Sequence, residues 1–278
     1  MDAARIAELL HPFLARAGGQ QLTPKDLERI SMYIDILVRW NSRVNLTAIR
    51  EPEEIVTRHF GESLLAASFL FARGVAPAAP GGPAERGSTA GSSGPRCAST
   101  DDLESNPGTA VRQREGGPNQ RQASALGASH QRPAADDRVA VADIGSGAGF
   151  PGVPLKLWAP SIQLTLIESN QKKSVFLREI VRSLTLADVE IQTARAETLP
   201  SASFDVVTLR AAERFATVLP IADALARPGG RLALLIGSAQ VEPARSLVPD
   251  RQWLPPLPIP HSRSRVLFAT RRGGLDSA

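Results

Sequence analysis

Hydrophobic positions recur at helical spacing through the first 72 residues of the chain. Ile6, Leu10 and Phe13 lie three or four residues apart, which predicts an amphipathic helix. Thr23 followed by Pro24 predicts the N-cap and first turn of a second helix that runs to about residue 41. Its predicted inward positions are Leu27, Ile30, Ile34, Leu37 and Val38. A further helix is predicted from residue 52 to about residue 71, so residues 1–72 form an N-terminal helical segment.

Short apolar runs and amphipathic stretches alternate after residue 138. Strands are predicted at 139–144, 163–167, 189–193, 204–209 and 231–236, with a last strand at 265–270 on an edge. Helices are predicted at 151–159, 172–184 and 215–226. This alternation is typical of an α/β fold with a doubly wound, mostly parallel sheet. Ligands of such sheets bind beyond the carboxyl ends of the strands, so residues 138–278 are the predicted ligand-binding domain.

The segment 73–137 has a different composition from the rest of the chain. Its large apolar residues are only Val75, Leu103, Val111 and Leu126, and it contains no aromatic residue. Such a segment cannot bury enough apolar surface to offset the entropy of ordering its backbone. We therefore predict a disordered, low-complexity insertion that acts as a linker.

Composition excludes several classes of protein. The chain has one cysteine, Cys97, and its four histidines lack the spacing of metal ligands, so we expect no disulfide and no metal site. No apolar run is long enough to cross a membrane, and the N-terminus lacks the pattern of a secretory signal. A cytoplasmic protein without a membrane partner is therefore expected. The net charge of +4 makes a polyanionic partner plausible.

A glycine-rich loop follows the first predicted strand and carries the main chemical signal. Asp143 precedes Gly145, Gly147 and Gly149. The dinucleotide fingerprint Gly-x-Gly-x-x-Gly would need glycine or alanine where Phe150 stands, and an acid before the loop would repel a pyrophosphate. The acid-x-Gly-x-Gly-x-Gly pattern is instead that of class I methyltransferases. It predicts their fold and their cofactor, S-adenosylmethionine, with Gly145 and Gly147 at the cofactor.

A second acid stands at the end of the second predicted strand. Glu168 follows Gly149 by 19 residues. An acid at about this spacing accepts hydrogen bonds from ribose hydroxyls in nucleoside-binding sheets. Glu168 is therefore a predicted cofactor-binding residue.

Several stretches together resemble the glucose-inhibited division protein B family, also called ribosomal small-subunit methyltransferase G. The helical segment contains WNSRVNLTAIR at 40–50 and RHFGES at 58–63. The loop DIGSGAGFPGVPLKL at 143–157, with RAE at 195–197 and DVVTLRA at 205–211, completes the resemblance. Two positions depart from the family pattern: Glu62 replaces an aspartate, and Ile236 replaces a lysine at the end of the fifth strand.

The resemblance implies methyl transfer to N7 of a guanine in 16S ribosomal RNA, with free RNA or a small ribosomal subunit particle as the partner. It implies cofactor contacts at Gly145, Phe150, Ala196, Glu197 and Arg210. Because guanine N7 has a free lone pair, we expect catalysis by positioning, without a catalytic acid or base.

Contacts with RNA are predicted in the helical segment, at Arg43, Arg58 and His59, since arginine and planar rings commonly contact RNA. Other functions remain open at this point. The same fold would serve a methyltransferase acting on a small molecule or a protein, or a non-catalytic RNA-binding protein. An NAD-dependent oxidoreductase is disfavoured by Asp143 and Phe150.

Overall fold

A computed structural model of the protein describes residues 1–15, 21–71, 138–210 and 214–271. These residues belong to one compact unit, to which both the N-terminal helical segment and the α/β segment contribute. The predicted insertion at 73–137, with Cys97, lies outside the described residues. No helix in the described ranges is long and apolar enough to cross a membrane.

Seven strands form a single sheet in the order β3-β2-β1-β4-β5-β7-β6. The strands are β1 (Ala140–Ile144), β2 (Gln163–Ile167), β3 (Val189–Gln192), β4 (Phe204–Arg210), β5 (Ala226–Gly237), β6 (Leu257–Pro258) and β7 (Arg265–Ala269). Strands β1 to β5 pair in parallel, whereas β7 is antiparallel to both β5 and β6. The predicted fold class, a doubly wound and mostly parallel sheet, is confirmed. The order changes direction between β1 and β4, which is the switch point where such sheets bind ligands.

The last long strand does not lie on an edge, as the sequence had suggested. Strand β7 lies between β5 and β6, and the edge is formed by the two residues of β6. A strand this short, containing Pro258, has no alternating pattern that a sequence could display. Short strands and prolines are also what protect a sheet edge from further pairing.

Eight α-helices occur in the described residues. They are α1 (Ala3–Leu14), α2 (Pro24–Asn41), α3 (Pro52–Ile55), α4 (Glu62–Leu70), α5 (Gly152–Trp158), α6 (Gln171–Ser183), α7 (Phe215–Leu225) and α8 (Val241–Leu247). The predicted cap of α2 is present: the Thr23 hydroxyl accepts from the backbone of Asp26, whose carboxylate accepts from the Thr23 backbone. The predicted inward position of Val38 is wrong, because its side chain is 42% exposed.

The predicted helix after residue 52 is continuous but irregular. A π-helical turn, Val56–Gly61, joins α3 to α4. Such turns widen the helix and occur frequently at functional sites. Here the turn precedes Glu62, which is buried although it is charged.

The N-terminal helices pack on one face of the sheet. Buried residues of α1, α2 and α4 share a hydrophobic cluster with β1, β2, α5 and α6. Two polar contacts join the end of α4 to this body: Trp158 Nε1 donates to the Phe71 carbonyl at 3.1 Å, and Arg231 Nη2 donates to the Leu70 carbonyl at 2.7 Å. Helices α7 and α8 pack against the other face. The helical segment is therefore positioned by the same core that supports the carboxyl ends of the strands.

Candidate functional site

The glycine loop that follows β1 has two sides. Gly145, Gly147 and Gly149 all have positive φ, at 68°, 55° and 83°. A Cβ added to Gly145 would meet nothing within 4 Å, and one added to Gly147 would meet only the Gly145 carbonyl, at 3.6 Å. Positive φ is favourable for glycine and costly for other residues. The loop thus keeps its first two glycines open toward space that a ligand can occupy.

The other side of the loop is tightly packed against the protein. A Cβ on Gly149 would overlap the Tyr33 hydroxyl. A Cβ on Gly152 would lie 2.5 Å from Leu166 Cδ2 and 2.8 Å from Asp143 Oδ2. These two glycines serve the close approach of the loop to the sheet and to α2.

Asp143 is fully buried beneath the loop. Its carboxylate accepts hydrogen bonds from the Gly152 backbone at 3.1 Å and from the Thr208 hydroxyl at 2.9 Å. Burial raises the pKa of Asp143 to about 6, although the hydrogen bonds from Thr208 and Gly152 oppose this shift. The acid of the motif therefore acts on the protein itself, by joining the start of α5 to strands β1 and β4.

Glu168 lies at the carboxyl end of β2, beside the open side of the loop. One carboxylate oxygen accepts from the Gly147 backbone at 2.9 Å, and the other accepts from the Asn170 backbone at 2.7 Å. The two bonds fix the carboxylate against the loop. Each oxygen has a second lone pair with which it can accept a further hydrogen bond.

Phe150 joins the loop to the helical segment. Its ring stacks on His59, with centroids 4.7 Å apart, and on Tyr33, with centroids 5.3 Å apart. The Tyr33 hydroxyl donates to the Ala148 carbonyl at 2.5 Å. The ring of Phe150 is thus enclosed by protein, a packing role that the sequence motif did not indicate. Its predicted contact with the cofactor stays a prediction.

Arg210 ends β4 and reaches into the helical segment. Its guanidinium donates to His59 Nδ1 at 2.6 Å, to the Arg58 carbonyl at 2.7 Å and to Glu62 Oε2 at 3.2 Å. Arg265 pairs with the same carboxylate at 3.0 Å. Among the described residues, the buried Nε of Arg210 has no hydrogen-bond partner. One buried donor of Arg210 is therefore unpaired within the described part of the chain.

His59 is an internal residue. Because Arg210 donates to Nδ1, the proton lies on Nε2, which donates to the Thr47 hydroxyl at 2.8 Å. Burial, with the positive charges of Arg210 and Arg58, lowers the pKa of His59 to about 2, so the ring is neutral. Both ring nitrogens and one ring face are occupied. This interior position departs from the predicted contact of His59 with RNA.

The other predicted residues lie at the surface or near it. Arg43 and Arg58 are exposed, and Arg58 pairs with Glu54 at 3.2 Å on its own helix. Ala196 is buried at the start of a 3₁₀ turn after β3, whereas the next residue, Glu197, is exposed. Ile236, where the family pattern has lysine, is fully buried in β5.

Two residues of this region, Tyr33 and Arg265, gave no signal in the sequence, and the role of Thr47 was not indicated although it lies in the WNSRVNLTAIR stretch at 40–50. Their contacts are with residues elsewhere in the chain: Tyr33 with Ala148, Thr47 with His59 and Arg265 with Glu62. The position of Glu62 was a hint that a cation such as Arg265 lies nearby, since an acid buried in an apolar helix requires a cation as partner. Within residues 1–15, 21–71, 138–210 and 214–271 there is no cluster of three or more metal-ligating side chains.

Comparison with known proteins gives consistent matches. The sequence profile of a family described as rRNA small subunit methyltransferase G matches residues 26–76 and 125–248. A ribosomal RNA small subunit methyltransferase G from Roseiflexus castenholzii is 34% identical over 81% of this chain and 71% of its own length. A protein of the same name from Xanthomonas campestris pv. campestris is 30% identical over 80% of this chain and 76% of its own length. A solved structure from Agrobacterium tumefaciens, described as a predicted O-methyltransferase, is 23% identical over 51% of this chain and 78% of its own, with a TM-score of 0.42.

Proposed function

Because the chain belongs to the rRNA small subunit methyltransferase G family, we propose that it methylates N7 of a guanine in 16S ribosomal RNA with S-adenosylmethionine. One observation of the structure carries the cofactor part of this proposal. Gly145 and Gly147 leave open space beside a fixed carboxylate, Glu168, at the carboxyl ends of β1 and β2. A nucleoside with two ribose hydroxyls and no phosphate fits that chemistry.

The residues available to S-adenosylmethionine fall into three groups. Gly145 and Gly147 offer backbone without side chains, and Glu168 offers lone pairs for the ribose hydroxyls. Ala196 and Glu197, at the end of β3, are proposed to contact the adenine. Arg210, whose Nε is buried without a partner among the described residues, is proposed to donate to the cofactor. The cofactor supplies a methyl group activated by a positively charged sulfur.

The protein contributes to catalysis by positioning the guanine and the methyl donor. Guanine N7 has a lone pair and no proton, so the attacking atom needs no general base. Two buried titratable groups beside the loop already have partners within the protein: Asp143 accepts from Gly152 and Thr208, and His59 is bonded to Thr47 and Arg210. We therefore assign rate enhancement to alignment of the reactants and exclusion of water, which together can remove a large part of the activation barrier of a two-substrate reaction.

Recognition of RNA is proposed for the exposed cations of the helical segment, Arg43 and Arg58. Both are exposed, as a phosphate contact requires. The proposed partner is the RNA of the small subunit, free or within a subunit particle, in the cytoplasm.

A transfer assay tests this function. Purified protein is incubated with S-adenosylmethionine carrying a labelled methyl group and with small-subunit RNA or particles from cells that lack the gene. The proposal predicts label on N7-methylguanosine when the digested RNA is analysed by mass spectrometry. Label on another nucleoside, or only on protein, would contradict it. RNA that already carries the modification serves as the control and should accept no label.

A further inference from the structure

A groove runs between the C-terminal turn of α2 and the first turns of α6. Its volume is about 690 Å³. The residues that matter for its chemistry are Arg39, Trp40, Arg43, Lys172, Val175 and Glu179. The groove is separate from the open side of the glycine loop, and no part of the cofactor proposal uses it.

The charge of the groove is positive. Arg39, Arg43 and Lys172 are exposed, and none of them pairs with a carboxylate within the described part of the chain. The one acid, Glu179, accepts the Trp40 indole N–H at 3.0 Å. Three cations that are not held by acids form an electrostatic footprint for a polyanion.

An aromatic ring lies among these cations. Trp40 is half-buried, and its orientation is fixed by the bond to Glu179 and by an edge contact with Phe176 at 5.8 Å between centroids. Val175 beside it is 45% exposed and adds apolar surface next to the ring. A fixed planar ring between cations is the combination that binds single-stranded nucleic acid, because bases stack on the ring while cations hold the phosphates.

Both walls of the groove are anchored on the glycine loop. Trp40 lies seven residues, two helical turns or about 10 Å, along α2 from Tyr33, whose hydroxyl donates to Ala148 in the loop. Lys172 is the second residue of α6, and the N-cap of that helix, Asn170, donates its backbone N–H to Glu168. A strand of RNA in the groove would therefore lie close to the carboxyl ends of β1 and β2.

We propose that this groove binds a single-stranded segment of the substrate RNA next to the target guanine. Arg39, Arg43 and Lys172 hold its phosphates, and a base stacks on Trp40. The assignment rests on the proposed function for the identity of the strand. The groove itself is argued from charge and geometry, so it can be tested without methyl transfer.

Binding of a short fluorescently labelled single-stranded RNA, measured by anisotropy, is the first test. The double variant Arg43→Ala/Lys172→Ala should bind at least tenfold more weakly, and the salt dependence of its binding should be smaller by about 1 to 2 in slope. The matched control is Lys25→Ala/Arg182→Ala, which removes two exposed cations from the same two helices outside the groove. Equal losses in the two double variants would overturn the proposal.

Substitutions of Trp40 separate stacking from charge. Trp40→Leu should weaken binding of the single strand several-fold, whereas Trp40→Phe, which keeps a planar ring, should retain most of it. An RNA duplex bound as tightly as the single strand, or equal losses in the two variants, would contradict the role of Trp40.

The transfer reaction separates failure of the groove from failure of the function. In steady-state assays the Arg43→Ala/Lys172→Ala variant should show a raised KM for RNA and an unchanged Kd for S-adenosylmethionine. If the wild type methylates rRNA and this variant has the same kinetic constants, the proposed role of the groove is wrong and the proposed function stands. If the wild type transfers no methyl group to rRNA while the anisotropy results hold, the function is wrong and the groove still binds RNA.

Discussion

Glu62 and Arg210 form a buried ion pair, 3.2 Å from Oε2 to Nη2, between the start of α4 and the end of β4. Only 2% of the Glu62 side chain is exposed, and its carboxylate also pairs with Arg265 at 3.0 Å. One buried acid thus holds two largely buried guanidinium groups, which come from the carboxyl end of β4 and from the start of β7. The helical segment is tied by this acid to the edge of the sheet where the cofactor is expected.

Replacing Glu62 by glutamine should strongly destabilise the protein. The amide removes the charge that compensates Arg210 and Arg265, and an uncompensated buried charge costs about 3 to 5 kcal/mol. The free energy of unfolding, measured with urea at pH 7, should fall by about this amount.

Glu62→Asp provides the matched control, because it keeps the charge and shortens the side chain by one methylene. We expect a smaller loss, about 1 to 2 kcal/mol, from weaker hydrogen bonds to the two arginines. If the two variants lose equal stability, the charge of Glu62 is not what holds this cluster together.

The neutral state of His59 should make stability fall in acid. Its pKa is lowered from 6.5 to about 2 in the folded protein, so below pH 6.5 the unfolded chain binds a proton that the folded protein does not. This group's contribution is therefore fully present above pH 6.5 and is lost as the pH falls, at about 1.4 kcal/mol per pH unit.

His59→Gln isolates that contribution, since the glutamine amide can still accept from Arg210 and does not titrate. Between pH 7 and pH 5 the wild type should lose about 2 kcal/mol relative to the variant in urea unfolding. Parallel pH profiles for the two proteins would show that His59 is not buried in its neutral form.

Local patterns in the sequence predicted the elements and the loop correctly. Strands β1, β2 and β4 are short segments rich in apolar residues, and the cap at Thr23 depends only on Asp26, three residues away. The glycine loop was recognisable because positive φ restricts the choice of residue. Features fixed by neighbours within one turn or one strand are therefore accessible from sequence alone.

The contacts that build the site from distant segments were not accessible in this way. Arg265 meets Glu62 across 203 positions of the chain, and Tyr33 reaches the loop across 115. The stack of Phe150 on His59 depends on how the π-helical turn sits against the sheet, which no periodicity encodes. For this reason His59 was predicted as a surface contact and is found inside.

Alanine substitutions on the two sides of the glycine loop should have different effects on stability and on cofactor affinity. Gly147→Ala adds a methyl group on the open side, where only φ strain of about 1 to 2 kcal/mol opposes it. Gly149→Ala adds the methyl group against the Tyr33 hydroxyl and Val153, which adds an overpacking cost of about 1 to 3 kcal/mol.

Calorimetric titration with S-adenosylmethionine and thermal unfolding should therefore separate these variants. Gly147→Ala should lose at least tenfold in affinity with a small fall in Tm, and Gly149→Ala should show the larger fall in Tm. A Gly147→Ala protein with wild-type affinity would contradict the placement of the cofactor on the open side.

Asp143 should influence stability in the direction opposite to His59. Its pKa is raised from 3.8 to about 6, so the folded protein binds a proton more readily than the unfolded chain does. The stabilising contribution is full below pH 3.8 and is lost as the pH rises through 6. In Asp143→Asn the amide can accept from Gly152 and donate to the Thr208 hydroxyl, which preserves the packing without the titration.

Between pH 7 and pH 4 the wild type should therefore gain about 2 kcal/mol over Asp143→Asn in urea unfolding, while it loses stability relative to His59→Gln over the same range. The stability difference between wild type and variant should thus change in opposite directions for Asp143 and for His59 as the pH falls. A general effect of acid on the protein cannot produce this result, because it would appear equally in both comparisons. A wild type that loses stability against both variants would show that the Asp143 carboxylate is stabilised in its charged form, and that burial does not dominate its environment.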